Sequence, residues 1–277
     1  MYKKIVAIAG TRTALDIMKQ IHHGLPNHPR EEFFPRIGKI EFEGPGTDNS
    51  LAYKFYRPDR VLLDGETTMG DVLKFSACAW HHFSGQGADM FGPGTLVRSW
   101  LEKGNPFDIA RAKAEAMMEF LYKVGVDYYC FHDFDLIAEG GSRRESTSRL
   151  QYIVDYYKTL QEAYGKKCLW GTQNMFSNPR YVRGAATSPD FRVLAYAAAQ
   201  TKDAIDATIA LGGLGHVFWG GREGYAFFDN TDMELELQNL GRFLKMARDY
   251  ARSQGFKGKF FIEPKPREPM THQYDYD

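Results

Sequence analysis

The chain has little cysteine: three residues in 277, Cys78, Cys130 and Cys168. They lie too far apart for any C-x-x-C metal or redox pattern, and an odd number fits reduced thiols better than a secreted disulfide framework. Neither charge is in excess. Lys plus Arg total 35 and Asp plus Glu total 35, which leaves no basic field to condense onto nucleic acid or anionic lipid. No apolar run approaches the roughly 18 residues of a membrane span. The stretch 5–9 behind Lys3 and Lys4 is too short for a signal-peptide core and has no cleavage region after it. The sequence therefore reads as cytoplasmic, with neither nucleic acid nor membrane as a partner. A phosphate cradle is also missing. Gly212-Gly213-Leu214-Gly215 precedes a strand-like run, whereas a dinucleotide fingerprint follows one, and Gly220-Gly221 with Gly224 has neither dinucleotide nor Walker spacing.

What is there suits a folded core, with 43% apolar and 14% aromatic residues. Short, nearly all-apolar runs at 75–79, 128–131, 168–170, 216–219 and 260–262 read as strands buried on both faces. Helical patterns alternate with them. Asn105-Pro106 offers an N-cap and a first-turn proline before a helix over 108–124 closed by Gly125. Ser188-Pro189 offers the same before 191–211, closed by Gly212-Gly213. A helix over 144–164 ends at Gly165, and Thr231 with Glu234 has capping-box spacing ahead of one running toward Gln254 and Gly255.

Such alternation predicts an α/β fold built of βαβ units around a parallel sheet. From the second strand on, the spacing is about 40 to 48 residues. That suits a (β/α)8 barrel with functional loops, although eight such units would need roughly 350 residues. The expectation is a partial TIM (β/α)8 barrel of the first five βα units; an open sheet of five or six strands is the alternative. Residues 1–32 hold a possible strand at 5–9 and a short helix at 14–22. Gly24, Pro26, Pro29 and the run Arg30-Glu31-Glu32 set them apart as an N-terminal extension, with the barrel over 33–277.

In parallel α/β architectures chemistry gathers just beyond the carboxyl ends of the strands. Those positions read Trp80-His81-His82, His132-Asp133-Phe134-Asp135, Trp170-Gly171-Thr172, Trp219-Gly220-Gly221-Arg222-Glu223 and Glu263-Pro264-Lys265-Pro266-Arg267-Glu268. Core packing is the plainer account of any one tryptophan. Trp80, Trp170 and Trp219 at the same end of three strands point instead to the wall of a sugar pocket. His132 and Asp135, three apart, suit a carboxylate that fixes an imidazole tautomer for proton transfer, or a structural hydrogen bond in a loop. His81 and His82 are adjacent in extended chain, so at most one faces the pocket, and His82 reads as a core or loop histidine. The prolines after Glu263 hold Glu263, Lys265 and Glu268 extended, as an ion pair or part of a hard-cation site. One carboxylate is too few to hold a metal.

Together with Phe34-Pro35 through Glu43-Gly44, Ala88-Asp89-Met90-Phe91-Gly92 and Tyr129-Cys130-Phe131-His132, these strings resemble bacterial xylose isomerases of the longer class. The likeness runs in order from about residue 33 to the last residue. The resemblance implies a TIM barrel that interconverts D-xylose and D-xylulose, and D-glucose and D-fructose more slowly, by a metal-assisted hydride shift. It implies ring opening by His132 oriented by Asp135, Lys265 near the carbonyl oxygen, and Trp80, Trp170, Thr172 and Trp219 lining the sugar. It implies two divalent ions, Mg, Mn or Co, with Glu263 as a ligand and Glu268 behind the ligands. Phe91 matches an aromatic that crosses into a neighbouring subunit, which implies a homo-oligomer, dimer or tetramer. The family's remaining ligands have no counterpart before Asp277, and Ala226 stands where the family has an acid. The expectation is thus a xylose isomerase shortened after its fifth strand and impaired in activity. The alternative is a noncatalytic barrel fragment that binds sugar weakly or oligomerises through unfinished strand edges.

Overall fold

The computed structural model describes residues 32–263, except 90, 103, 226–228 and 230. The candidate strand at 5–9, the helix at 14–22, Ala226, Lys265 and Glu268 lie outside the described residues. Five strands, β1 (Ser76–Cys78), β2 (Tyr128–His132), β3 (Lys167–Thr172), β4 (Gly215–Trp219) and β5 (Lys259–Glu263), form one sheet. Every neighbouring pair is parallel, and the order is that of the chain. Four long helices connect them: α1 (Pro106–Val124), α2 (Arg143–Tyr164), α3 (Phe191–Ala210) and α4 (Met233–Ser253). Right-handed crossovers that always advance in one direction place every helix on the same side of the sheet, whereas a doubly wound sheet reverses its order partway. The chain is therefore a singly wound α/β unit, five strands and four connecting long helices of a partial barrel, and among the described residues the sheet stays open at β1 and β5.

The helix-facing side of the sheet is apolar and closed. Tyr129, Phe131 and Cys168 are fully buried with Leu121 of α1 and Tyr157 and Leu160 of α2. Phe218 packs with Ile205, Ala247, Ala251 and Phe256 at the far end. A bulge in β3 pairs Tyr129 with Cys168 but Cys130 with Trp170, skipping Leu169. This lets Cys168 and Gly171 face the helices while Trp170 faces the opposite, concave side. There β3 to β5 line an open hollow of about 1150 Å³ between Trp170, Val217, Phe261 and Glu263. Gly171 is required by close approach: a Cβ there would lie 2.3 Å from Thr208 Oγ1 and 2.6 Å from Phe131 Cζ. We expect Gly171→Ala to destabilise the fold by about 1–3 kcal/mol through overpacking, read as a lower urea midpoint at unchanged slope.

Caps fix the helix boundaries, two of them not where the sequence suggested. Asn105 accepts from the main-chain N–H of Phe107 and Asp108, and Gly125 ends α1 in the left-handed region at φ 72°. For α3 the N-cap is Asp190, which accepts from Arg192 N, rather than Ser188, so Pro189 stays outside the helix. For α4 it is Asp232, which accepts from Leu235 N, rather than Thr231. In both cases a carboxylate one or two residues nearer the helix is the stronger acceptor for the exposed amides and favours the positive helix end.

The described chain begins clamped to α1. Glu119 accepts from Phe33 N and Phe34 N at 2.8 and 3.0 Å. Lys123 donates to Phe34 O at 2.6 Å and pairs with Glu119 at 2.8 Å. Trp100 belongs to this core, its indole N–H donating to Phe83 O at 2.7 Å. Among the described residues no helix is long and apolar enough to cross a membrane. All three cysteines are free thiols.

Candidate functional site

The carboxyl ends of the strands bring most of the sequence-derived candidates together. Trp80 opens the turn Trp80–Ser84 that follows β1. His132 ends β2 opposite Thr172 of β3, and Trp219 ends β4 opposite Glu263 of β5. Aromatic rings bridge the strands. Trp80 meets the imidazole of His132 edge to face at 4.7 Å and Trp170 at 5.5 Å. Phe176 then meets His132 at 5.3 Å on one side and Trp219 at 4.7 Å on the other. The result is a continuous aromatic wall across four strands, with His132 near its middle and Glu263 at the same sheet end.

His132 is held in one orientation. Oδ2 of Asp135, in the helical turn Asp133–Leu136, accepts from the His132 main-chain N–H at 3.1 Å and lies 2.8 Å from Nδ1. A carboxylate can only accept, so Nδ1 carries the proton and Nε2 is left with its lone pair as a base or acceptor. Both side chains are buried, which excludes bulk water from the pair.

A second network holds the wall. The Asp133 carboxylate accepts from Asn174 N and from Gln200 Nε2, both at 2.8 Å. Its burial pushes the carboxyl up to about 6, against the lowering effect of those donors. Asn174 in turn accepts from the Ser177 N–H at 3.0 Å, and Arg222 Nε donates to Phe176 O at 3.1 Å. Phe176 is thereby fixed from both sides. The neighbouring Cys130 thiol is pushed up to about 12, chiefly by burial, with Asp135 and Glu263 both adding to the shift. That thiol is a packing group rather than a nucleophile.

Other candidates stand differently. The Thr172 hydroxyl donates to Val217 O at 2.6 Å, bracing β3 against β4, and its side chain is buried. Phe91 is 91% exposed and apart from the wall. His81 and His82 are exposed and lie within the helical turn Trp80–Ser84 rather than in extended chain, and His82 Nδ1 lies 3.2 Å from both Cys78 Sγ and Cys78 O. Phe176 escaped the sequence reading because it lies four residues past the end of β3, beyond the positions that directly follow the strand. Among the described residues no three His, Cys, Asp or Glu side chains are grouped as a metal ion requires. Glu263 is the one expected acid among the described residues, and those residues by themselves do not make up a metal site.

A singly wound parallel sheet with its polar and aromatic groups gathered at the strand carboxyl ends defines a protein of the (β/α)-barrel class. No protein-family model matches the chain. Among curated proteins it is 53% identical over 247 residues to xylose isomerase 1 of Xanthomonas axonopodis pv. citri, covering 89% of this chain and 56% of that protein. It is 50% identical over 246 residues to xylose isomerase of Thermoanaerobacterium thermosaccharolyticum, covering 89% and 56%. Among solved structures, D-allulose 3-epimerase from Methylomonas sp. matches with TM-score 0.42 and 17% identity over 61% of this chain and 50% of that one, too low to add to the fold described above. Over the matched stretch the chain is similar to bacterial xylose isomerases, and it spans about half the length of the curated relatives it matches.

Proposed function

We propose that this chain carries the sugar-binding and ring-opening groups of an aldose–ketose isomerase that interconverts D-xylose and D-xylulose. The observation that supports it most is His132, its Nδ1 proton held by Asp135 and its ring flanked by Trp80 and Phe176. A neutral imidazole with Nε2 free can take the proton from the anomeric hydroxyl of a cyclic sugar and return it to O5 as the C1–O5 bond breaks, so that the imidazole ends neutral again. Flat rings on both sides suit the C–H faces of the sugar and keep water from the opened chain. The relatives' name suggests D-xylose as the pentose, and the family resemblance adds D-glucose as the hexose counterpart. The resemblance further suggests Mg, Mn or Co, with Glu263, Lys265 and Glu268 near them. It also suggests a cytoplasmic homo-oligomer in which Phe91 reaches a neighbouring subunit, and an N-terminal extension that ends near residue 32.

The second reading, weak sugar binding with self-association, draws on one observation: Phe261 and Ile262 of β5 are 46% and 53% exposed at the sheet edge. Exposed apolar strand edges associate. A coupled assay of xylulose formation with added Mg²⁺, Mn²⁺ or Co²⁺ separates the two. Turnover lost with chelator and with His132→Ala supports the isomerase. A folded circular-dichroism spectrum and xylose-dependent tryptophan fluorescence, without turnover in any metal, leaves the binding reading in its place.

A further inference from the structure

Gln200 of α3 is fully buried, and a buried amide persists only where its polar atoms are paired. Both ends of this one are. Nε2 donates to Asp133 Oδ2 at 2.8 Å and to Asn174 O at 2.9 Å. Tyr181 Oη donates to Oε1 at 2.7 Å. A main-chain carbonyl can only accept, so the nitrogen end must face Asn174 and the amide has a single orientation. Three elements meet on this one side chain: the turn Asp133–Leu136 after β2, the segment that follows β3 at Asn174, and the short helical turn Pro179–Tyr181.

Phe176 depends on that junction at one remove. Asp133 Oδ1 accepts from Asn174 N at 2.8 Å while Gln200 holds Asn174 O, so both main-chain polar groups of Asn174 are fixed. The Asn174 side chain then closes the next turn, with Oδ1 accepting from Ser177 N at 3.0 Å and Nδ2 donating to Ser177 Oγ at 2.9 Å. Phe176 lies inside that turn, its ring 5.3 Å from the His132 imidazole and 4.7 Å from Trp219. On the next position of α3, Thr201 Oγ1 lies 3.5 Å from Met175 Sδ, so the same helix face grips the residue between Asn174 and Phe176. The far side of Phe176 is held separately, by Arg222 Nε on its carbonyl.

We propose that Gln200 is a positioning residue: by holding Asn174 against Asp133 from the helix side, it sets the tilt of the Phe176 ring against the His132 imidazole. This deepens the isomerase reading and rests on it for the use of that ring surface to hold a sugar. Methionine at position 200 would fill a similar volume but donate nothing to Asn174 O or Asp133. The Asn174 end of the turn would then be released while Arg222 kept the other end, and the ring would tilt away from His132 rather than leave the wall.

The test is NMR on the full chain with ¹³C-labelled histidine rings. The Phe176 ring current shifts the His132 ring protons, and Phe176→Leu gives the size of that shift. Gln200→Met should move the same protons by about half or more of the Phe176→Leu change, and by less than about a fifth of it when Phe176→Leu is already present. Wild-type His132 resonances in a folded Gln200→Met protein overturn the proposal. An equal change in both backgrounds also overturns it, because Gln200 would then reach His132 by a route other than Phe176. If Gln200→Met does not fold, Gln200→Asn, which keeps the amide but draws it back by one methylene, is read by the same criteria. Neither readout uses turnover. The expected shifts without xylulose formation by the wild-type chain would remove the isomerase reading and leave the role of Gln200 intact, and turnover with unmoved resonances would do the reverse.

Discussion

Replacing Glu223 with alanine is expected to lower the free energy of unfolding by about 3 kcal/mol or more. Glu223 follows β4 and is only 4% exposed. Its carboxylate accepts from Ala185 N at 3.1 Å, Ala186 N at 2.8 Å and Thr187 N at 3.1 Å, and from the Thr187 hydroxyl. Truncation leaves three buried main-chain donors without their acceptor, each costing about 1–3 kcal/mol when unpaired. Water offsets part of this, because Glu223 borders a cavity of about 40 Å³ beside Trp219 and Gln173, roomy enough for a molecule or two. Glu223→Gln keeps one acceptor oxygen but turns an NH2 group toward donors, and we expect roughly half the loss. Urea unfolding of the three proteins checks the series. A midpoint for Glu223→Ala within experimental error of wild type would refute the assigned role. Because Arg222 beside it holds Phe176 O, the same variant should also loosen the ring that bridges His132 and Trp219.

That role for Glu223 was not legible in the sequence, although the residue was singled out there as part of a polar strand end. Strand ends hold both substrate-facing groups and loop anchors, and sequence order does not tell which loop folds back to meet a given carboxylate. The loop that meets Glu223 is 36 to 38 residues upstream. Lys113 of α1, only 6% exposed beside Ser84, was hidden for a related reason: a lysine in an amphipathic pattern reads as a solvated face until an adjoining turn buries it. By contrast the five strands were plain, since short all-apolar runs between helices have few other uses in a parallel sheet. His132 with Asp135 was plain too, because their contact is local to one turn. The two displaced N-caps show where local reading stops, with Ser188 and Asp190, or Thr231 and Asp232, competing for the same amides.

His216 is fully buried between Thr208 Oγ1, 3.1 Å from Nδ1, and the Gln173 amide, 2.9 Å from Nε2. Burial pulls its imidazole down to about 3 from 6.5. The folded state therefore refuses a proton that the unfolded chain accepts as the pH drops below 6.5, and stability is lost on acidification, in total about 4–5 kcal/mol by pH 3. Asp133 acts with the opposite sign. Its folded carboxyl titrates at about 6 against 3.8 for the ordinary group, so the folded state takes up a proton first and gains relative stability as the pH falls from 6 toward 3.8. Between pH 6 and 4.5 the two slopes nearly cancel, each amounting to about 2 kcal/mol over that interval. This window lies mostly above the range in which the depressed carboxylates, such as Glu139 beside Arg180, begin to contribute. Wild-type stability should therefore be nearly flat from pH 6 to 4.5. Asp133→Asn removes the opposing group and should lose about 2 kcal/mol over the same interval, whatever its starting stability, because only the slope is read. Urea midpoints across that range measure it. Parallel curves for the two proteins would mean that Asp133 keeps an ordinary carboxyl despite its burial, with the amides of Asn174, Phe134 and Gln200 strong enough to hold the charge without help.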